Sequence, residues 1–299
     1  MGTAAGDRPG GVALADRRAS PTVSRMVIGT RLRQLRETRG MSVDEAGLAI
    51  QASPAAISRM ERGRTRFRMC DVVDLCVLYG VSDQAERTTL LGLAQRANSP
   101  EWWHPYQDMI PGWFERYLSL EQAATMIRSF HTQVIPGLLQ TPGYARSYVT
   151  TCHRSASPRE IDLRVELQLA RQAVLQRLLA PRLWAVIDEA ALRRPVGGRA
   201  AMRAQLSYLI EACDIPVITI QVLPFHLGMR CAAGGPLALL RLPDPQLPDV
   251  TYLEHLATAM YYDDPGHVDY YWHAMNQLAL QADAAGPAQP ILSRILQET

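Results

Sequence analysis

The chain has 299 residues, 47% apolar and 20% charged, an ordinary make-up for globular protein with room for two domains. No apolar run reaches membrane-spanning length and the first 25 residues hold no apolar signal core, so the expectation is a cytoplasmic protein with no membrane partner. The net charge of +2 is uneven: residues 1–100 carry +5 and residues 101–299 carry −3. Every basic residue is arginine, whose planar fork suits phosphate and guanine, so the basic third is where a polyanion partner is sought.

Residues 1–25 are rich in Gly, Ala, Arg and Pro without periodicity and read as a disordered tail, with Arg8, Arg17 and Arg18 in solvent. Residues 26–98 read as five short helices. Ile28, Leu32 and Leu35 form the apolar stripe of the first, which Gly40 ends. Ser42 caps the second, with Glu45 completing a capping box. Ser53 caps the third, with Pro54 at the permitted first position, and Gly63 ends it. A fourth helix runs from Met69 to Tyr79 and a fifth begins near Ser82.

Residues 99–112, with Trp102, Trp103 and three prolines, read as a docked linker, not a flexible one. Residues 113–299 change texture. Helices are expected over Trp113–Phe130, Pro158–Leu179, Arg199–Cys213, Pro265–Ala282 and Ile291–Leu296. Short strands are expected at Leu183–Ile187, Pro216–Leu223, Leu237–Leu242 and Val250–Leu253, the first two parallel and the later ones a hairpin or meander. The fold class is therefore multidomain: an N-terminal all-α domain followed by a mixed α/β domain.

The window Met41–Gly63 has the pattern that a helix-turn-helix demands. Gly47 is the small residue where the two helices cross, and Ala46, Ile50, Ala52, Ile57 and Met60 seal the crossing. Ser53, Pro54, Ala55, Ala56, Ser58 and Arg59 then face outward at the start of the recognition helix, where base edges are read. Arg59 could fork to guanine, and Ala55 or Ala56 could meet a thymine methyl. Arg62, Arg64, Arg66 and Arg68 follow directly and would neutralise phosphates, giving salt-dependent affinity. Taken singly, the serines could be caps alone and each arginine part of a solvated face.

Three stretches carry a resemblance: Arg31-Leu32-Arg33-Gln34-Leu35-Arg36, Met41-Ser42, and Ile57-Ser58-Arg59-Met60-Glu61-Arg62-Gly63. Together they resemble the Cro/C1-type (Xre-type) helix-turn-helix regulators. That resemblance implies double-stranded DNA as partner, a homodimer on a two-fold site, DNA contacts at Ser42 and at the start of the second helix, and a structural Glu61 paired with Arg33 or Arg36. The chain departs from the family twice. Val43 stands where the family usually has Gln, and Gln51 stands where it usually has Gly, which calls for a strained or rearranged turn.

Further on come Val134-Ile135-Pro136-Gly137-Leu138-Leu139-Gln140-Thr141-Pro142-Gly143-Tyr144-Ala145, Arg171-Gln172, Ile187–Arg194, Gln221–Phe225 and Tyr252-Leu253-Glu254. These resemble the domain of unknown function carried by actinobacterial WhiJ-like and antitoxin-like regulators. The resemblance implies a transcriptional regulator whose second domain senses a partner protein or effector, and leaves room for a small acidic protein partner. The alternative it carries is an antitoxin-like protein that sequesters a small partner and autoregulates.

Catalysis is the remaining class. Asp188, Glu189, His226, Glu254, His255, Asp263 and Asp264 are the polar candidates, but no metalloprotease, nucleophile-elbow or phosphate-loop motif accompanies them. Asp263-Asp264-Pro265 reads as a turn and helix cap, and Tyr271 with Met275 and Leu278 as core. The five cysteines are odd in number and include no Cys-x-x-Cys pair, against a disulfide framework or zinc site. The expectation is a non-enzyme with no metal and no cofactor.

Overall fold

The structure is a computed structural model that describes residues 20–227, 235–284 and 286–299. Arg8, Arg17, Arg18, Cys231 and Gly234 lie outside them. The chain divides into two compact units, Met1–His104 with Leu242–Leu247, and Pro105–Arg241 with Pro248–Thr299.

The first unit is all helical: α1 (Pro21–Thr38), α2 (Val43–Ala49), α3 (Pro54–Glu61), α4 (Met69–Leu78) and α5 (Gln84–Ala97). α1 begins earlier than the sequence reading has it, so residues 20–25 do not belong to a tail. Ser20 caps the helix by accepting from Val23 N, and Pro21 takes the first helical position. Glu101 adds a second cap from far along the chain, accepting from Thr22 N at 2.9 Å and Thr22 Oγ1 at 2.6 Å. Ile28, Leu32, Ala46, Ile57, Met60, Phe67, Val72, Leu75 and Leu90 make one core.

The second unit is built on a six-stranded mixed sheet of order β3-β2-β1-β4-β5-β6. Its strands are β1 (Met126–His131), β2 (Arg182–Asp188), β3 (Ile218–Leu223), β4 (Leu237–Arg241), β5 (Val250–Glu254) and β6 (Ala259–Tyr262). The first three are parallel, and β4 to β6 form an antiparallel meander. The helices are α6 (Gly112–Ala123), α7 (Pro142–Cys152), α8 (Pro158–Gln172), α9 (Glu189–Arg193), α10 (Gly198–Ala212), α11 (Pro265–Ala284) and α12 (Ala288–Glu298). α11 covers one sheet face, where Met275, Leu278 and Ala282 meet Phe130, Val186, Leu237 and Leu239. On the other face Tyr117 of α6 meets Tyr252, with ring centroids 4.2 Å apart.

The expected parallel pair with its intervening helix is present as β2-α10-β3, and the later strands form a meander. Other expectations also need correction. The helix expected over Trp113–Phe130 ends at Ala123, and Met126–His131 is the strand between β2 and β4. Its Ile127, Arg128, Ser129 and Phe130 are all buried, so no alternation marks it as a strand. The helix expected over Pro158–Leu179 ends at Gln172 and tightens into a 3-10 turn, leaving Leu178 94% exposed. α7 was not expected, although Thr141-Pro142 repeats the cap-and-proline signal of Ser53-Pro54. β6 is short and half-buried, and no turn signal announces it.

Candidate nucleic-acid interface

The helix-turn-helix is α2, the turn at Ile50–Ser53, and α3. At α2, Ser42 Oγ accepts from Glu45 N at 3.2 Å while Ser42 N donates to Glu45 Oε2 at 2.7 Å, a closed capping box. At α3, Ser53 Oγ accepts from Ala56 N at 3.2 Å. Gly47 is indispensable in shape, because a Cβ there would stand 2.7 Å from the Ala52 carbonyl oxygen. Gln51 has φ +56°, so the turn keeps the left-handed geometry that glycine would allow without strain.

A second close approach joins α1 to α3. A Cβ on Gly29 would meet the Met60 carbonyl oxygen at 2.5 Å, and one on Gly63, at φ +62°, would meet Met26 Cα at 2.7 Å. Sequence reasoning missed Gly29 as a contact residue, since glycine inside a helix signals nothing about its partner.

Between these helices lies a buried ion pair. Arg36 donates from Nε to Glu61 Oε1 at 2.6 Å and from Nη2 to Oε2 at 2.9 Å, and from Nη1 to the Met41 carbonyl at 2.6 Å. The hydrogen-bonded Glu61 holds the Arg36 guanidinium above its ordinary range. Burial pushes the neighbouring Tyr79 hydroxyl up to about 12. Of the two expected partners for Glu61 the structure selects Arg36, while Arg33 pairs with Glu37 on the surface at 2.8 Å.

With Ile57 and Met60 turned into the core, α3 leaves Ser53, Pro54, Ala55 and Arg59 exposed and Ala56 and Ser58 half-buried. Arg62, Arg64 and Arg66 are exposed, and neither they nor Arg59 form an ion pair among the described residues. Arg68 differs: it forks onto Asp71, with Nη2 to Oδ1 at 2.7 Å. Ser42 is exposed but committed to its capping box, and Val43 packs partly against the core.

Two family models match the chain. One is a helix-turn-helix domain over residues 27–90, and the other is the domain of unknown function DUF5753 over residues 114–292. The chain belongs to the DUF5753 family. It joins that domain to an N-terminal helix-turn-helix domain. No curated protein and no solved structure matches it.

In the DUF5753 unit, the strings quoted above meet at the carboxyl ends of the parallel strands. Gln172 donates to the carbonyls of Gly137 at 3.1 Å and Gln140 at 2.7 Å, and Tyr144 Oη accepts from Ile135 N at 3.1 Å. Glu189 Oε2 accepts from Phe225 N at 2.9 Å and its Oε1 pairs with Arg193 at 2.6 Å. Arg171 forks onto Glu121 at 2.9 and 2.8 Å. Burial works against the Arg171 charge, yet the charge and hydrogen bonds of Glu121 overcome it and hold the guanidinium above its ordinary range.

The polar candidates for catalysis are spread among structural tasks. Asp188 caps α9, Asp263 pairs with Arg116 at 3.1 Å, and Asp264 accepts from His267 N at 3.1 Å. Tyr252 donates to Glu254 Oε2 at 3.0 Å, and burial raises that carboxyl. His255 donates its backbone N–H to Thr258 in a turn, and His226 is exposed. Among the described residues no cluster could hold a metal ion, and no helix is long and apolar enough to cross a membrane.

Proposed function

We propose that the protein is a sequence-specific, double-stranded-DNA-binding transcriptional regulator of the Xre type, acting as a homodimer. The observation that carries the reading is the division of α3: Ile57 and Met60 are sealed in the core while Ser53, Pro54, Ala55 and the unpaired Arg59 stand free. In this reading the start of α3 enters the major groove. Arg59 forks to a guanine, Ala55 and Ala56 meet a thymine methyl, and Ser53, Pro54 and Ser58 set the fit. Arg62, Arg64 and Arg66 supply phosphate contacts, and Arg68 does so only where phosphate competes with Asp71. Ser42 contributes through its exposed edge, and Val43 helps by packing.

One such module buries too little surface for tight binding, which favours a dimer on two half-sites. The second unit then senses a partner protein or effector and biases the first. The test is binding of the full-length protein to the DNA upstream of its own gene, beside a scrambled duplex, at two salt concentrations. Preference for the upstream duplex, weakening as salt rises, supports the reading, and equal or absent binding to both overturns it. Truncation after His104 tests the coupling, which fails if affinity and dimerisation are unchanged.

A further inference from the structure

Arg128 lies on β1, and only 4% of it reaches solvent. Its guanidinium lies over two indoles, 4.2 Å from the Trp184 ring centroid and 5.1 Å from that of Trp272. In the guanidinium plane, Nη1 donates to Asn276 Oδ1 at 2.6 Å and Nη2 to the Met275 carbonyl at 3.3 Å, while Nε is buried without a partner. Among the described residues no carboxylate pairs with it.

The charge that acts on Arg128 is another cation. Arg241 lies over the same Trp272 ring, 4.8 Å from its centroid. Burial first, and then Arg241, push the Arg128 guanidinium below its ordinary range. Arg241 in turn forks onto Asp249, from Nε at 3.2 Å and from Nη2 at 2.8 Å, which leaves Nη1 to meet a further acceptor, and Asp249 also accepts from Trp272 Nε1 at 2.9 Å. The group therefore holds two cations and one anion. Its sheet positions explain the crowding: Arg128 stands beside Trp184 on β2 and Leu239 on β4, so Arg241 is its diagonal neighbour on the same face. Arg36 and Arg171 are instead each forked on a glutamate. A buried charge lacking such a partner is costly, and ring faces compensate only part of it.

The in-plane edge of Arg128 meets solvent through Asn276, whose side chain is exposed, and Arg241 is exposed beside it. We propose that Arg128 and Arg241 form a site for a small oxyanion, a carboxylate or phosphate, which replaces the Asn276 amide oxygen at Arg128 Nη1 and bridges to Arg241 along the edge of Trp272. Both indoles lie against the Arg128 guanidinium, and its N–H groups remain the edge by which a guanidinium forks to an oxyanion. The site lies wholly within the second unit and its test contains no DNA, so its failure and that of the DNA reading are separate results.

The experiment is titration of the full-length protein with acetate and with phosphate, at constant ionic strength against chloride, followed by tryptophan emission. The inference expects a saturable change with at least one of the two, and which one responds identifies the oxyanion. Arg241→Gln weakens it by about tenfold or more, as loss of one charge-assisted contact does. Asn276→Asp places a carboxylate on Arg128 Nη1, so it abolishes the response and raises the melting temperature measured without added anion. Both positions are exposed, and circular dichroism checks that each variant is folded. A wild type that responds to neither anion overturns the site, as does an undiminished response in both folded variants.

Discussion

The two units bury ion pairs of the same design in different settings. Arg36–Glu61 ties together two helices that local signals already define, with Gly40 ending one and Ser53 capping the other. Arg171–Glu121 ties α8 to α6, and its guanidinium lies 5.1 Å from the Phe114 centroid and 5.6 Å from that of Tyr117. In the first unit the pair fastens elements that the chain specifies residue by residue. In the second it fastens elements whose identity depends on distant partners. A buried pair therefore says little about how readable its surroundings are in sequence.

The comparison is broken most forcefully by removing the glutamates. Glu61→Ala and Glu121→Ala each leave a buried arginine without its counter-charge and should each cost about 3–5 kcal/mol. Urea unfolding of the full chain, followed by circular dichroism, reads this. A loss below about 1 kcal/mol in either variant would mean that the orphaned arginine finds water at no penalty, and the likeness between the pairs would be superficial.

A pH titration sharpens it, because the second unit holds a strongly shifted histidine. Burial, and then Arg171, lower His131 from 6.5 to about 4. Above both values the ring is neutral in either state and contributes nothing. Between them the unfolded chain takes up a proton that the folded chain refuses, so stability falls with falling pH. The slope is at most about 1.4 kcal/mol per pH unit across that window. His131→Gln should flatten this part of the profile, and an unchanged slope in that variant would assign it to other groups.

Smaller effects belong to the helix-turn-helix. Ser53→Ala removes the cap of α3 and should cost about 1 kcal/mol in thermal or urea unfolding. A neutral outcome would show that water replaces the hydroxyl. Gln51→Gly should act in the opposite direction, stabilising by about 0.5–1 kcal/mol as the positive φ is relieved, less the added freedom of glycine when unfolded. A destabilised variant would mean that the Gln51 side chain matters more than its backbone.

How much was legible follows the same division. The capping box at Ser42, the cap at Ser53, the crossing at Gly47 and the unusual turn at Gln51 rest on residues within a few positions of each other, and all stand as read. β1 was not legible, because a strand buried on both faces shows no alternation and Arg128 within it looks like a helix surface charge. With that strand misread, nothing linked Arg128 to Trp184, Trp272 or Arg241, which lie far apart in sequence. Glu101 capping α1 from across the unit was hidden for the same reason, whereas Asp71 engages Arg68 from only three residues away, a local pair that the reading of the arginines as phosphate contacts passed over.

The most direct measurement compares Arg59→Ala with Arg64→Ala on the upstream duplex and on a scrambled one, each across a range of salt. The account predicts that Arg59→Ala loses about 1–3 kcal/mol of preference between the duplexes with little change in salt slope, while Arg64→Ala weakens both equally and lowers the slope by about 1. If Arg59→Ala retained the preference, or if both variants behaved alike, α3 would not be reading bases and the account would be contradicted.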